Sequence, residues 1–99
     1  MPYQIEFAEA VKVHLEALTA RQRSTVLDDV ARQLTNEPTK ETRNRKPLSP
    51  NPVAPWELRV GALRVFYDVS AGPPAIVRVL AVGVKERDTL RIGGREIRL

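Results

Sequence analysis

The residues best suited to chemistry in this chain are arginines and lysines in its second half. They are Arg59, Arg64, Lys85, Arg87 and Arg91. A guanidinium group binds phosphate oxygens through paired N–H groups and stabilises the negative charge that develops when a phosphate reacts. Cations that hold a phosphate and orient a 2′-hydroxyl in line can promote RNA cleavage without a histidine. The spacing therefore indicates a cationic phosphate site, although arginines at a sheet edge also serve simply to prevent aggregation.

Other common kinds of catalytic site lack the necessary residues. The chain has no cysteine, which excludes disulfides, thiolate nucleophiles and cysteine–zinc sites, and it has one histidine, His14. His14 falls on the apolar face of the first predicted helix, so we assign it to the core or its edge and not to catalysis. Phosphate-cradling glycine motifs and the HExxH zinc motif do not occur. We therefore expect neither a metal nor an organic cofactor.

Hydrophobic periodicity predicts the elements of the first half. Residues 3–7 alternate as a short strand, and apolar residues then recur every three to four positions as in a helix. A capping box from Thr19 to Gln22 begins a second helix, which residues 36–38 close. The short connection predicts an antiparallel helical hairpin. The predicted buried stripe of the second helix is Val26, Leu27, Val30, Ala31 and Leu34.

The second half has the pattern of a sheet. Alternation predicts strands over 56–60 and 63–69, joined by a turn at Gly61–Ala62. Residues 76–84 are apolar on both faces except at Arg78, which predicts a central strand. A terminal hairpin around Gly93–Gly94 sets Leu90 opposite Ile97 and Arg91 opposite Glu96. The order predicts an α+β fold with a mainly antiparallel sheet, as one domain over residues 1–99.

Five of the eight prolines fall between residues 38 and 55. Because proline lacks an N–H donor and fixes its own φ angle, we expect this segment to be an extended loop without a regular ladder. A loop of this length in a small domain is usually functional or mobile. It also carries four cations: Lys40, Arg43, Arg45 and Lys46.

Charge is distributed unevenly along the 99 residues. The net charge is +4, yet residues 1–37 hold four basic and six acidic side chains, whereas residues 38–99 hold twelve basic and six acidic ones. A basic half of this kind suits a polyanion such as nucleic acid, or it serves only solubility. Charged residues interrupt the first twenty positions, so we expect no signal peptide and a cytoplasmic protein.

Four segments in order resemble the RelE/ParE toxin superfamily. They are Lys46–Pro47–Leu48, the WELRVG of residues 56–61, the LRVFYDV of residues 63–69 and the VRVLAVG of residues 77–83. The predicted N-terminal strand and helical hairpin fit as well, so the resemblance covers nearly the whole chain. It implies a twisted antiparallel sheet backed by two helices. It also implies the toxin of a bacterial type II toxin–antitoxin pair, neutralised by a cognate antitoxin through which operator DNA is bound only indirectly.

The resemblance further implies a site and an activity. RelE-like members cleave mRNA in the ribosomal A site, and matching their basic positions to this chain selects Arg59, Arg64 and Lys85 as catalytic residues. We expect the RNA-binding residues to be Lys40, Arg43, Arg45, Lys46, Arg87 and Arg91. The chain departs from the pattern at Glu57, which replaces a basic residue and repels phosphate unless it is paired. It departs again at Arg91, where a tyrosine is common.

Two alternatives to the ribosome-dependent mRNA endoribonuclease remain. ParE-like members poison DNA gyrase without nuclease chemistry, which predicts that toxicity survives loss of Arg64. A degenerate toxin kept only as an antitoxin-binding co-repressor predicts no growth effect when the chain is expressed alone.

Overall fold

The computed structural model of this protein describes residues 2–98, so Met1 and Leu99, the two ends of the predicted domain, lie outside the described residues. Within that range the chain forms two helices and seven strands. In chain order they are β1 (Gln4–Phe7), α1 (Ala10–Glu16), α2 (Ala20–Leu34), β2 (Arg45–Pro47), β3 (Trp56–Val60), β4 (Leu63–Ser70), β5 (Ile76–Glu86), β6 (Thr89–Ile92) and β7 (Arg95–Ile97). The α+β class is confirmed, and the element order predicted from periodicity is present with one additional strand, β2.

Strand β5 is the centre of the sheet, as its apolar character on both faces predicts. The antiparallel order is β2-β3-β4-β5-β6-β7. Two strands, β1 and β6, pair with the edge of β5 opposite to β4. The first half, Ile76–Val79, pairs in parallel with β1, and the second half, Gly83–Glu86, pairs with β6. The terminal hairpin has the predicted register, with Leu90 opposite Ile97 and Arg91 opposite Glu96.

The helices cover one face of this sheet. The capping box is present, because the Thr19 N–H donates to Gln22 Oε1 and the Gln22 N–H donates to Thr19 Oγ1. The predicted stripe of α2 is partly wrong: Val26, Val30 and Leu34 are buried, whereas Leu27 is 42% exposed and Ala31 is exposed. The three buried residues recur every four positions, and a residue one position further along is rotated by about 100° away from them. The helix therefore contacts the sheet through a narrower stripe than we predicted.

A second apolar cluster fills the other face. Its buried members are Ala54, Phe66, Ala81, Leu90 and Ile92, with Leu48, Val53, Leu80 and Ile97 packed against them. The proline-rich segment supplies part of this cover. The Asn51 side chain orders that segment, because Oδ1 accepts from the N–H groups of Val53 (2.7 Å) and Ala54 (3.0 Å) and Nδ2 donates to two carbonyls.

The prediction that residues 38–55 contain no ladder is wrong at one place. Residues Arg45–Pro47 form β2, which pairs with β3, and the ladder continues where the Leu48 N–H donates to the Pro55 carbonyl at 2.8 Å. Strand β2 is an edge strand with a neighbour on one side only. Pro47 is tolerated there because an edge strand has one unpaired row of backbone groups.

Tyr67 joins the helical face of the sheet to the start of the proline-rich segment. Its ring is fully buried and stacks on Trp56 with the centroids 6.2 Å apart. The hydroxyl donates to the Pro38 carbonyl at 2.6 Å. Burial raises the pKa of Tyr67 well above its ordinary value. These contacts give Tyr67 a structural role.

Candidate functional site

A cleft of about 460 Å³ opens at the end of the sheet where the β3–β4 turn, the end of β5 and the terminal hairpin meet. It lies on the face that carries Phe66 and Leu90, because Glu57 is opposite Phe66 in register and Lys85 is opposite Leu90. The lining residues are Glu57, Arg64, Lys85, Asp88, Thr89, Leu90, Glu96, Ile97 and Arg98. Two of the three predicted catalytic residues, Arg64 and Lys85, thus line one cleft.

Arg64 is held close to the turn that precedes it. Its Nη1 donates to the carbonyls of Gly61 at 2.6 Å and Leu63 at 2.9 Å, and its side chain is 13% exposed. Burial lowers the pKa of Arg64; the charge of Glu57 opposes this shift and that of Arg59 adds to it. Because an arginine stays protonated even so, the cleft contains a positioned cation with little water around it.

Glu57 is the one charged residue among the described positions that is buried, with 6% of its surface exposed. Its Oε1 accepts from Arg59 Nε at 2.7 Å and lies 3.9 Å from Arg64 Nε. We expected this carboxylate to repel phosphate unless it is paired. In the structure it is paired, with Arg59. The two predicted catalytic arginines flank it, because Arg59 is opposite Arg64 in register and Glu57 is two residues before Arg59 on the same face.

Lys85 and Arg59 reach this region in different ways. The Lys85 N–H donates to the Ala62 carbonyl at 2.8 Å, which fixes the end of β5 beside the β3–β4 turn and so brings Lys85 near Arg64. The Lys85 side chain is exposed. Arg59 does not line the cleft; its side chain is 44% exposed and contacts the cleft residues through Glu57.

The predicted RNA-binding residues are divided between two faces. Lys46 is opposite Glu57 in register and therefore projects on the face of the cleft. Arg87 lies in the turn between β5 and β6 with φ 56°, between the cleft residues Lys85 and Asp88. Arg91 is opposite Val84 and lines a small groove beside His14 on the helical face, so the structure does not bring it to Arg64.

The remaining three cations precede β2 or begin it. Lys40 forms an exposed ion pair with Glu37 at 3.4 Å. Arg43 is exposed. Arg45 has a structural role, because its Nη1 donates to the carbonyls of Gln33 at 2.8 Å and Glu37 at 2.6 Å at the end of α2.

Sequence reasoning missed part of the cleft. Asp88, Thr89, Glu96 and Arg98 line it, and so the charged side chains are three cations and three carboxylates. The hairpin register contained the signal, since Ile97 is opposite Leu90 and Leu90 is opposite Lys85. Over residues 2–98, no three side chains of the His, Asp and Glu types cluster closely enough to hold a metal ion.

The fold defines a class of protein. A strand, two helices and an antiparallel sheet with a terminal hairpin make a RelE-like toxin fold. The chain is similar to a solved structure, the toxin–antitoxin complex RelBE2 from Mycobacterium tuberculosis, with a TM-score of 0.70 and 26% identity over 86% of this chain and 100% of that one. This likeness supports a toxin of a toxin–antitoxin system.

Comparisons of sequence add nothing to this assignment. No protein-family model and no curated protein matches the chain. Neither helix within residues 2–98 has the length and apolar character needed to cross a membrane.

Proposed function

We propose that this chain is the toxin of a type II toxin–antitoxin pair and that it inhibits translation as a ribosome-dependent mRNA endoribonuclease. The observation that carries the proposal is the cleft in which Arg64 and Lys85 meet on a RelE-like fold. A cognate antitoxin, the ribosome and mRNA are the partners, and the cytoplasm is the place of action.

The proposed chemistry is transfer of a phosphate within the RNA backbone. The guanidinium of Arg64 holds the scissile phosphate and stabilises the charge of its transition state. Lys85 and Arg59 hold the neighbouring backbone or assist proton transfer. Lys46 and Arg87, which lie on or beside the face of the cleft, are the best placed of the predicted RNA-binding residues to contact the chain on either side.

Arg64→Ala tests the proposal in bacterial cells. Wild type and variant are induced alone, and incorporation of labelled methionine and labelled thymidine is followed together. We expect wild type to lower methionine incorporation promptly while thymidine incorporation is initially spared, and we expect Arg64→Ala to abolish the effect. The matched control is Arg78→Ala, an exposed arginine seven positions before Lys85 and about 20 Å away along an extended strand.

The same measurement separates the alternatives. An early fall in thymidine incorporation that survives Arg64→Ala would assign the toxin to DNA gyrase. If soluble wild-type protein lowers the incorporation of neither label, the remaining hypothesis is a degenerate toxin that only binds the antitoxin. Full inhibition of translation by Arg64→Ala would contradict the role given to the cleft. Binding of the variant to the antitoxin shows that its fold is intact.

A further inference from the structure

The edge of β5 opposite to β4 has a gap in its pairing. Strand β1 pairs with Ile76–Val79 and β6 pairs with Gly83–Glu86, so in the described part of the chain no strand lies beside residues 80–82 on that edge. The His14 side chain lies at this gap, where its Nδ1 accepts from the Val82 N–H at 3.3 Å. His14 thus provides the acceptor that a neighbouring strand would otherwise supply. Only the neutral imidazole has this acceptor, because both ring nitrogens of the protonated form are donors.

The same imidazole contacts the terminal hairpin formed by β6 and β7. The small groove that His14 lines, of about 100 Å³, also includes Arg91, Gly93 and Gly94 of this hairpin. A methyl group added at Gly93 would lie 3.3 Å from His14 Cδ2, so the β6–β7 turn packs closely on the ring. Strand β6 itself fits tightly on β5, since a side chain at Gly83 would clash with the Arg91 backbone. The hairpin is therefore held against β5 by its own ladder and, at its turn, by His14.

This hairpin forms one wall of the cleft that contains Arg64 and Lys85. Leu90 and Ile97 line the cleft from the hairpin, and Leu90 is opposite Lys85 in register. His14 lines the groove on the helical face and not the cleft, so it acts on the cleft only through the hairpin. A change in the contact between His14 and the β6–β7 turn would consequently shift this apolar wall relative to the two cations.

We propose that His14 is a positioning residue for the cleft, and that its neutral ring keeps the hairpin wall at the distance from Arg64 and Lys85 that RNA cleavage needs. The inference rests on the proposed endoribonuclease activity and adds to it a residue that does not touch the RNA. A misplacement of about 1 Å that begins far from the reacting atoms can slow a reaction by about 100-fold. Protonation of His14 should therefore slow cleavage while the chain is still folded.

The charged groups around the ring leave it neutral at pH 7. Glu86 of β5 and Arg91 of β6 line the groove with His14, and they act in opposite directions on a protonated ring. From α2, Arg23 donates to two carbonyls at the end of α1 and does not line the groove. The other charged residues of α1 are exposed and lie outside it. Burial lowers the pKa of His14 below its ordinary value of 6.5, so the ring gains a proton only at acid pH.

The test measures single-turnover cleavage of mRNA by the purified full chain on programmed ribosomes, between about pH 5 and pH 8. A series of ribosome concentrations separates the rate constant from the half-saturating concentration. We expect the wild-type rate constant to fall by up to about 10-fold for each pH unit below the pKa of His14. His14→Asn carries an amide oxygen that can replace Nδ1 as acceptor but does not titrate. We expect this variant to cleave near the wild-type rate at pH 8 and to keep that rate at acid pH.

The ratio of the wild-type rate to the His14→Asn rate is the quantity to follow, because titration of the ribosome and of the cleft carboxylates affects both proteins alike. His14→Ala removes both acceptor and ring, and we expect its rate constant to fall by about 10-fold or more at pH 8. Its half-saturating ribosome concentration should stay unchanged, because the cations on the cleft face are intact. The matched control is Lys12→Asn, at an exposed position on the same helix, which should keep the wild-type rate and its acid decrease. Circular dichroism at each pH confirms that every protein is folded.

The outcomes separate this proposal from the one on which it rests. Absence of cleavage by wild type at every pH would overturn the endoribonuclease activity and, with it, the role of His14. Cleavage by wild type together with the same acid decrease in His14→Asn would overturn the role of His14 alone. So would a His14→Ala rate constant equal to that of wild type, or a loss in His14→Ala that comes entirely from weaker ribosome binding.

Discussion

At the scale of single residues, His14 joins the first helix to the central strand. Its Nδ1 accepts from the Val82 N–H at 3.3 Å. A methyl group added at Gly93 would lie 3.3 Å from the imidazole Cδ2, so the β6–β7 turn packs closely on the ring. Burial lowers the pKa of His14 below its ordinary value of 6.5. Glu86 and Arg91 are the charged groups that line the same groove. The residue therefore supports the fold in its neutral form.

This contact predicts a pH dependence of stability. The pKa of His14 is lower in the folded chain than in the unfolded chain, so the unfolded chain binds more protons and stability decreases as pH falls below about 6.5. Protonation also removes the acceptor for the Val82 N–H. We expect the melting temperature to fall between about pH 7 and pH 5, and to fall less in His14→Asn, which does not titrate. Equal slopes for wild type and variant would contradict this role.

At the scale of elements, Arg45 connects the end of α2 to the edge strand β2. The last carbonyls of a helix have no partner within the helix. Arg45 satisfies the carbonyl of Gln33 in the last turn and also donates to the carbonyl of Glu37, three residues beyond the helix, and its Nε reaches Thr42 Oγ1 at 3.5 Å. A cation at this end also interacts favourably with the helix dipole. Arg45 thereby sets where the chain turns from helix to sheet, beside the pairing of β2 with β3.

Arg45→Ala consequently tests the structural role of these contacts. We expect a decrease of about 1–3 kcal/mol in the free energy of unfolding, because the variant cannot form the hydrogen bonds from a charged donor to two carbonyls. Arg43→Ala, at an exposed position two residues earlier, should change that free energy by less than about 0.5 kcal/mol. Urea denaturation measures both. Equal stability of the two variants would show that the contacts of Arg45 contribute nothing.

At the scale of the whole molecule, positive charge is concentrated in the half of the chain that forms β2 to β7. Lys46 and Arg87 come from distant positions but both lie on or beside the face of the cleft. The helices, by contrast, belong to the half with excess acidic residues. The part of the chain that forms β2 to β7 thus carries a net positive charge and the part that forms the helices a net negative one, and a polyanion should approach the surface that carries Lys46 and Arg87.

Salt dependence of RNA binding tests this orientation. Removing one cation that neutralises a phosphate lowers the slope of log affinity against log salt by about 0.7 for a single strand. We expect the double variant Lys46→Ala with Arg87→Ala to reduce the slope for a single-stranded RNA oligonucleotide by about 1.4. The control, Lys12→Ala with Arg21→Ala, removes the same charge from the helices and should leave the slope unchanged. Equal reductions in both would indicate attraction by net charge alone.

Features set by neighbouring residues could be read from the sequence. The capping box depends on residues three apart, and the terminal hairpin depends on Gly93–Gly94, so both were predicted correctly. Strand alternation placed Arg59 and Arg64 on facing strands, and apolar residues on both faces identified β5 as central. The resemblance selected Arg64 and Lys85 as catalytic residues, and the structure places both in one cleft, while their catalytic roles stay predictions.

Features that depend on distant pairings were decided by the tertiary structure. The parallel pairing of β1 with β5 joins residues about seventy positions apart. The proline-rich segment packs over Phe66, and periodicity within one strand cannot show what will cover its second face. Arg45 was predicted to bind RNA. In the structure it contacts a carbonyl at the helix end, twelve residues earlier in the chain, and its position in the loop could not show this contact.

Glu57 shows the difference most clearly. Through its resemblance to the RelE/ParE superfamily, the sequence showed a carboxylate at a position that is basic in the family, which identified a conflict of charge with phosphate. Only the packed sheet determined that Arg59 takes one carboxylate oxygen, that Arg64 approaches the same oxygen, and that the group is buried at the cleft. The physical reason is that burial and ion pairing depend on three-dimensional neighbours, whereas residue type and spacing determine only which neighbours can occur.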